Sequence, residues 1–365
     1  MHHTTKLFLI LFLAVLNVSC SSGIRQANIS AADQHIQYSG RIDFSTKEAP
    51  YITWPGTMIQ ANFTGTSLAV ILDDTLGNNY FNVFLDNDWQ NPIVIDCKSG
   101  RNEYLLAENL SPGSHSLTIS KRTEGHEGGT YFHGLILDKD ARLNTPPPRP
   151  LRRIEFYGDS VTSGLGNEAA MSAGDKNMAE KNNYLSYAAI TARALNAEHV
   201  SISSSGIGLM VSWFNWTMTD YYDQLDGSGV NGKKWDFSQW TPDVVVINLM
   251  QNDSWLVDSE FSPPPTKMQR IKAYYNFIYT LRSKYPDAHI IAALGGMDAV
   301  KPGSPWPEYI RKAVAQYRKD FNDNKVDSFF FDYNGFNKHP RVKHHQAMAD
   351  KLTAFISEKM NWHLN

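Results

Sequence analysis

Thr145-Pro146-Pro147-Pro148-Arg149-Pro150 is the segment that most limits what this chain can fold into. Proline has no backbone N–H and a fixed φ, so neither a helix interior nor a central strand can run through it. Residues 146–150 therefore read as a stiff connector. The flanks, residues 26–145 and 151–365, must each build a core of their own. A chain of 365 residues is long enough for two.

The first flank reads as all-β. Runs of β-branched and aromatic residues recur at Ile59 to Phe63, Leu68 to Leu72, Tyr80 to Leu85, Ile93 to Ile95, Leu117 to Ile119 and Tyr131 to Leu137. Turn signals separate them, among them Thr64-Gly65-Thr66, Gly77-Asn78-Asn79, Ser99-Gly100 and Ser111-Pro112-Gly113. Short strands at this spacing predict a β-sandwich of jelly-roll type.

Beyond the connector the period changes. Apolar runs at Ile154 to Tyr157, Val200 to Ser203, Val244 to Leu249, Ile290 to Leu294 and Phe329 to Phe331 alternate with helical stretches. Met268, Ile271, Tyr275, Ile278 and Leu281 share one helix face, as do Tyr309, Ala313, Val314 and Tyr317. Continuous apolar strands alternating with helices predict a parallel sheet covered on both sides, a flavodoxin-like α/β/α domain. Chemistry in such sheets gathers at the carboxyl ends of the strands.

Composition bounds the partners. Hydrophobic residues make up 42% and charged residues 19%, a globular balance. A formal net charge of -3 offers nothing to a nucleic acid, and no obligate protein partner is evident. Aromatics reach 12% with nine Trp, which serve core packing or present faces to sugar rings. At the N-terminus Lys6 precedes an apolar run, Leu7 to Leu16, too short for a comfortable membrane span. With Asn17-Val18-Ser19-Cys20 behind it, residues 1–22 resemble a bacterial lipoprotein signal, which would leave Cys20 lipidated. The expectation is an exported lipoprotein, periplasmic or at the cell surface and anchored to a membrane through Cys20; the alternative is plain secretion. Of the two cysteines this leaves Cys97 alone, expected as a buried structural thiol with no disulfide.

Four strand ends carry the candidate chemistry. The first strand runs into Gly158-Asp159-Ser160, the second into Ser205-Gly206, the third into Asn252-Asp253, and the fifth leads to His339-Pro340. Singly, each has an ordinary reading: a capped turn, or a polar loop histidine. Together they offer what acyl transfer needs, a nucleophile, a base and donors aimed at a developing oxyanion.

This order resembles that of the SGNH (GDSL-type) hydrolases. The longer strings are similar to carbohydrate esterase family 2, notably Trp54-Pro55-Gly56-Thr57 and Tyr80-Phe81-Asn82-Val83-Phe84 before the connector. After it they include Arg153 to Gly164, Trp235-Asp236-Phe237-Ser238, Pro242 to Leu249, Tyr285 to Ile290 and His345-Gln346-Ala347-Met348-Ala349. The resemblance spans residues 36–362 and pairs a jelly roll with an SGNH domain in this order. It implies O-deacetylation of xylan- or glucomannan-type polysaccharide or oligosaccharide, with no metal or other cofactor. Ser160 would attack the acetyl carbonyl, giving an acetyl-enzyme, and His339 would serve as base and then acid. The amides of Ser160 and Gly206 and the Asn252 side chain would form the oxyanion hole.

The sequence also departs from the pattern. Met250 stands where the third motif has glycine, and the Asp often found two or three residues before the histidine is replaced by Asn337 and Phe336. The expectation is a Ser160–His339 dyad oriented by a backbone carbonyl, with Asp332 as a substitute from farther back. Trp255 is a candidate for stacking on sugar; Trp213 and Trp216 read first as packing. His344-His345 cannot chelate on one helix face, since neighbouring residues point about 100° apart. Other readings are an SGNH lipase or thioesterase, a carbohydrate-binding protein of little or no activity, and a chain whose β domain is the functional part.

Overall fold

The computed structural model describes residues 26–363. The signal region and Cys20 lie outside the described residues.

The first domain is a sandwich of two antiparallel sheets, as expected. One orders its main strands as Ile42–Asp43, Tyr51–Ile52, Thr130–Asp138, Leu68–Asp74 and Gly100–Ala107. The other runs Leu143–Asn144, Met58–Thr64, Ser114–Lys121, Tyr80–Leu85 and Ile93–Asp96. Alternation fills the space between them: Ile59, Ala61 and Phe63 from one sheet share a core with Leu68, Val70 and Leu72 from the other. Cys97 is a free thiol in this core, and burial pushes its pKa up to about 12. The strand Gly100–Ala107 escaped the sequence reading, which placed a turn at Ser99-Gly100. It pairs on one side only, with Leu68–Asp74, and turns Arg101, Glu103 and Leu105 to solvent. An edge strand of this kind has no continuous apolar run to betray it.

The second domain has a five-stranded parallel sheet: Arg152–Gly158, Ala197–Ser203, Val244–Asn248, His289–Leu294 and Val326–Phe330. Numbered along the chain, their order across the sheet is 2-1-3-4-5, the flavodoxin-like arrangement. The order reverses beside the first strand, and Ser160 follows the carboxyl end of that strand, the place where ligands bind in sheets of this kind. The three middle strands are almost wholly buried, which explains their legibility as apolar runs. The last was expected at Phe329 to Phe331 but starts at Val326. It is an edge strand whose Asp327 and Ser328 interrupt the apolar pattern.

The connector does not hold the domains apart. Trp54 from the β domain is buried in the core of the α/β domain and donates its indole N–H to the Leu225 carbonyl at 2.8 Å. Arg41 is buried too. It pairs with Glu155 at 3.0 Å, the Tyr157 hydroxyl at 3.0 Å and the Tyr222 carbonyl at 2.7 Å. These bonds from its two terminal nitrogens, with the Glu155 charge, offset much of the cost of burying a guanidinium.

Candidate active site

The first strand ends at Gly158, where tight packing forbids a side chain: a Cβ there would lie 2.0 Å from the Thr162 hydroxyl oxygen. Asp159 then caps a single helical turn, Ser160–Ser163, by accepting the Val161 N–H at 2.9 Å. The capped-turn reading is thus realised, with Ser160 as the first residue of the turn. Burial pushes the Asp159 carboxyl up to about 7, against the pull of that N–H.

Ser160 Oγ lies 2.9 Å from Nε2 of His339. The other ring nitrogen is the main correction to expectation. Nδ1 of His339 faces Oδ2 of Asp175 at 3.0 Å, and the same oxygen accepts the His339 backbone N–H at 3.2 Å. The imidazole is oriented by a carboxylate, not by a backbone carbonyl alone. Asp332 is not that carboxylate: it is exposed and pairs with Lys351. Partial burial pushes the Asp175 carboxyl up, but hydrogen bonds from His339 and Arg341 outweigh this and hold it well below the usual range.

Asp175 sits 15 residues after Ser160, in an irregular stretch between that turn and the short turn Met178–Glu180. No apolar period or motif marks it. Arg341, two residues after His339, ties the stretch down. It is buried, and its guanidinium reaches Asp175 Oδ1 at 2.5 Å, the Gly166 carbonyl at 2.8 Å and the Ala173 carbonyl at 2.9 Å. Lys338 adds bonds to the Ser172 and Ala173 carbonyls at 2.6 and 2.7 Å. The sequence signal that could have found Asp175 is this pair of cations flanking a histidine.

Gly206 follows the second strand and Asn252 opens the helix after the third. Asn252 is buried, and its Nδ2 donates to the Ile207 carbonyl at 2.8 Å. Its Oδ1 accepts the indole N–H of Trp213 at 3.1 Å, which sets which end of the amide is the donor. Trp213 is 64% exposed, so packing is not its role. Trp216, by contrast, packs on Phe214 and Tyr221. The buried Asp253 accepts the N–H groups of Leu209 at 2.9 Å, Met210 at 2.5 Å and Val211 at 3.2 Å, tying the Gly206 loop to the Asn252 helix. Met250 holds φ at +87°, a left-handed conformation that glycine adopts freely and methionine does not. The backbone bend is therefore kept and the strain of a side chain accepted in the wall.

Trp255 is 39% exposed, and Asp298 accepts its indole N–H at 3.0 Å, fixing the ring. The two adjacent histidines are each used by backbone: His345 Nδ1 accepts the Tyr187 N–H at 3.1 Å and His344 Nδ1 the Arg341 N–H at 3.0 Å. The arrangement can accept a proton from a serine hydroxyl, stabilise the imidazolium that results, and offer amide donors to a tetrahedral oxyanion.

Residues 38–147 match the model of the carbohydrate esterase 2 N-terminal region, and residues 156–351 that of the GDSL-like lipase/acylhydrolase family. The cellulase/esterase CelE of Acetivibrio thermocellus is 34% identical over 345 residues, 90% of this chain but only 40% of that protein. An acetylxylan esterase/glucomannan deacetylase of Cellvibrio japonicus is 28% identical and aligned over 96% of both chains. A family two carbohydrate esterase from Clostridium thermocellum, solved in complex with cellohexaose, has a TM-score of 0.80 at 33% identity, covering 90% of this chain and 100% of that one. One from Cellvibrio japonicus gives 0.82 at 26% identity, with 93% and 99% covered. The paired domains, the serine at the switch point of the sheet and these likenesses agree: the chain belongs to carbohydrate esterase family 2, a family of carboxylic-ester hydrolases.

Proposed function

We propose that this protein removes O-acetyl groups from plant-type polysaccharide or its oligosaccharides, of the xylan or glucomannan class. The observation that carries the reading is the continuous relay Ser160–His339–Asp175, with contacts of 2.9 and 3.0 Å. The relatives named for acetylxylan and glucomannan deacetylation support the choice of substrate.

Ser160 Oγ bonds to the acetyl carbon while His339 Nε2 takes its proton. Charge moves to the carbonyl oxygen, where the N–H groups of Ser160 and Gly206 and the Asn252 amide are the donors. Asp175 holds the ring in the tautomer with the proton on Nδ1 and stabilises the imidazolium. The bond between the acyl carbon and the sugar oxygen then breaks, and His339 gives the proton to that oxygen as it leaves as a hydroxyl. Water, deprotonated by His339, attacks the acetyl-enzyme, and acetate leaves as Ser160 is reprotonated. Trp255 and Trp213 offer exposed aromatic faces beside the donors, suited to a pyranose ring.

The test is acetate release from a panel of positionally defined acetylated xylo- and manno-oligosaccharides, with Ser160→Ala as control. Nitrophenyl acetate should be turned over far faster than nitrophenyl decanoate. Preference for the long chain would replace the deacetylase reading by a lipase one. Anchoring through Cys20 is a separate part of the proposal, resting on the apolar run and the cysteine that follows it. Cys20→Ala should move the protein from the membrane fraction to the soluble one, and an unchanged distribution would remove the anchor.

A further inference from the structure

The β domain sends one segment, residues 121–127, into the α/β domain beside the catalytic groups. Within it Glu124 is only 1% exposed. One carboxylate oxygen accepts the Ser205 hydroxyl at 2.5 Å and the other accepts the Ser205 backbone N–H. The first oxygen also lies 3.6 Å from the Lys181 ammonium, whose other partner is Glu127. A buried carboxylate costs several kcal/mol to desolvate unless its lone pairs are met. Here nearly all of that compensation comes from Ser205 and Lys181.

Ser205 immediately precedes Gly206, whose N–H is a donor in the mechanism above. Gly206 has φ at +87° and no side chain to restrain it, so the peptide that carries its N–H is intrinsically free to turn. Two contacts bracket that peptide. On the far side the Gly206 carbonyl accepts the Trp213 N–H at 3.1 Å. On the near side Glu124 grips Ser205 by both its N–H and its hydroxyl. Lys181 closes the stretch that bears Asp175, and Arg122 binds the same stretch through the Ala179 and Lys181 carbonyls at 2.7 and 3.1 Å. The β domain thus touches both the donor loop and the acid stretch.

We propose that Glu124 is a positioning residue for the oxyanion hole, acting from the β domain through Ser205 on the Gly206 N–H, so that the β domain is part of the catalytic machinery. This rests on the acyl-transfer reading. A misaimed donor loses transition-state stabilisation but leaves ground-state binding alone, so the effect falls on kcat.

The experiment uses the whole protein with nitrophenyl acetate and, in parallel, a nitrophenyl alkylphosphonate that reacts with Ser160 to give a tetrahedral adduct. In Glu124→Gln one of the two Ser205 donors meets an NH₂ group. We expect kcat and the phosphonylation rate to fall together by roughly 10- to 100-fold with KM within about twofold, part of what losing a whole donor costs. Ser205→Ala keeps the Glu124 carboxylate and its ion pair, removes one contact, and should lower both rates by about threefold or more. If Glu124→Gln does not fold, judged by circular dichroism, Ser205→Ala decides alone. Rates in the folded variants that match the parent overturn the positioning role and leave the esterase reading standing. So does a loss that falls only on KM. A parent that turns over no ester overturns both.

Discussion

The two nitrogens of His339 meet partners held in opposite ways. Nε2 faces Ser160, which stands on the end of a parallel strand bonded to neighbours on both sides. Nδ1 faces Asp175, which lies in a stretch without helix or strand and is held by side chains binding its backbone carbonyls. Ser160 is placed by the fold; Asp175 is placed by two cations on the segment that carries the histidine itself. A carboxylate far from the histidine in sequence can therefore serve its Nδ1, provided something near the histidine pins it.

The largest effect should come from the strand side. Ser160→Ala or His339→Ala is expected to lower kcat on nitrophenyl acetate by roughly 10⁴-fold or more, since in the proposed reaction these groups make and break the bonds. Next comes the acid. Asp175→Asn keeps the shape and removes the charge that stabilises imidazolium, and should cost roughly 10²- to 10⁴-fold in kcat. Asp332→Ala, by contrast, should stay near parent activity. A small loss in Asp175→Asn would restore the dyad and erase the contrast between the two nitrogens. The same variant has a signature in stability. The folded carboxyl sits below its ordinary value, so its contribution is present above the unfolded pKa of about 4 and is lost as pH falls through the lower folded one. Denaturant unfolding of Asp175→Asn should therefore show a flatter decline below about pH 4 than the parent does.

How much of this was legible follows from the same contrast. Arg152 to Gly158, Ala197 to Ser203 and Val244 to Asn248 are buried along nearly their whole length, so their composition announces them and their ends locate Ser160, Gly206 and Asn252. Ser160 stands out in the sequence because a motif and a strand end coincide. Asp175 was missed because its place is set by Arg341 and Lys338 binding carbonyls, and carbonyls belong to every residue type alike. The strand Gly100–Ala107 was missed for a related reason: with one neighbour and one wet face it needs no apolar run. Trp213 was read as packing because nothing in a sequence distinguishes an indole buried in a core from one whose N–H orients an amide at the surface. Trp54 was noted as part of a family string, but its insertion into the other domain's core is visible only in three dimensions.

Arg341 tests whether the acid side really depends on its staples. It is buried and serves Asp175 and two carbonyls of the stretch at once. Arg341→Met keeps most of the packing and deletes every one of these bonds. Breaking one partner of a buried pair usually costs about 3–5 kcal/mol, and here the loss should be felt locally. We expect kcat to drop by roughly 10- to 100-fold, less than in Asp175→Asn because some molecules still present the carboxylate. Hydrogen exchange should quicken in residues 166–181 while the amides of the parallel sheet keep their protection. Exchange that rises evenly across the domain would mean that Arg341 supports the whole fold and not the acid stretch.

Trp213 asks the reverse question, whether the strand side also leans on a side-chain contact. Its indole N–H donates to Asn252 Oδ1 at 3.1 Å, and that bond decides which end of the amide can serve as a donor. Asn252 Nδ2 is independently bonded to the Ile207 carbonyl at 2.8 Å, so the orientation has a second support. Trp213→Phe keeps an exposed aromatic face for a sugar and removes only the N–H. With one support left, the amide should remain turned the right way most of the time, and kcat should fall by about 3- to 10-fold with KM for acetylated oligosaccharide nearly unchanged. A loss as large as that of Asp175→Asn would show that the strand side is no more self-supporting than the acid side. A rise in KM without change in kcat would assign Trp213 to the sugar instead. The modest loss expected here follows from the fold: Asn252 is already carried by a helix that leaves the end of a buried strand, and a single donor has little left to correct.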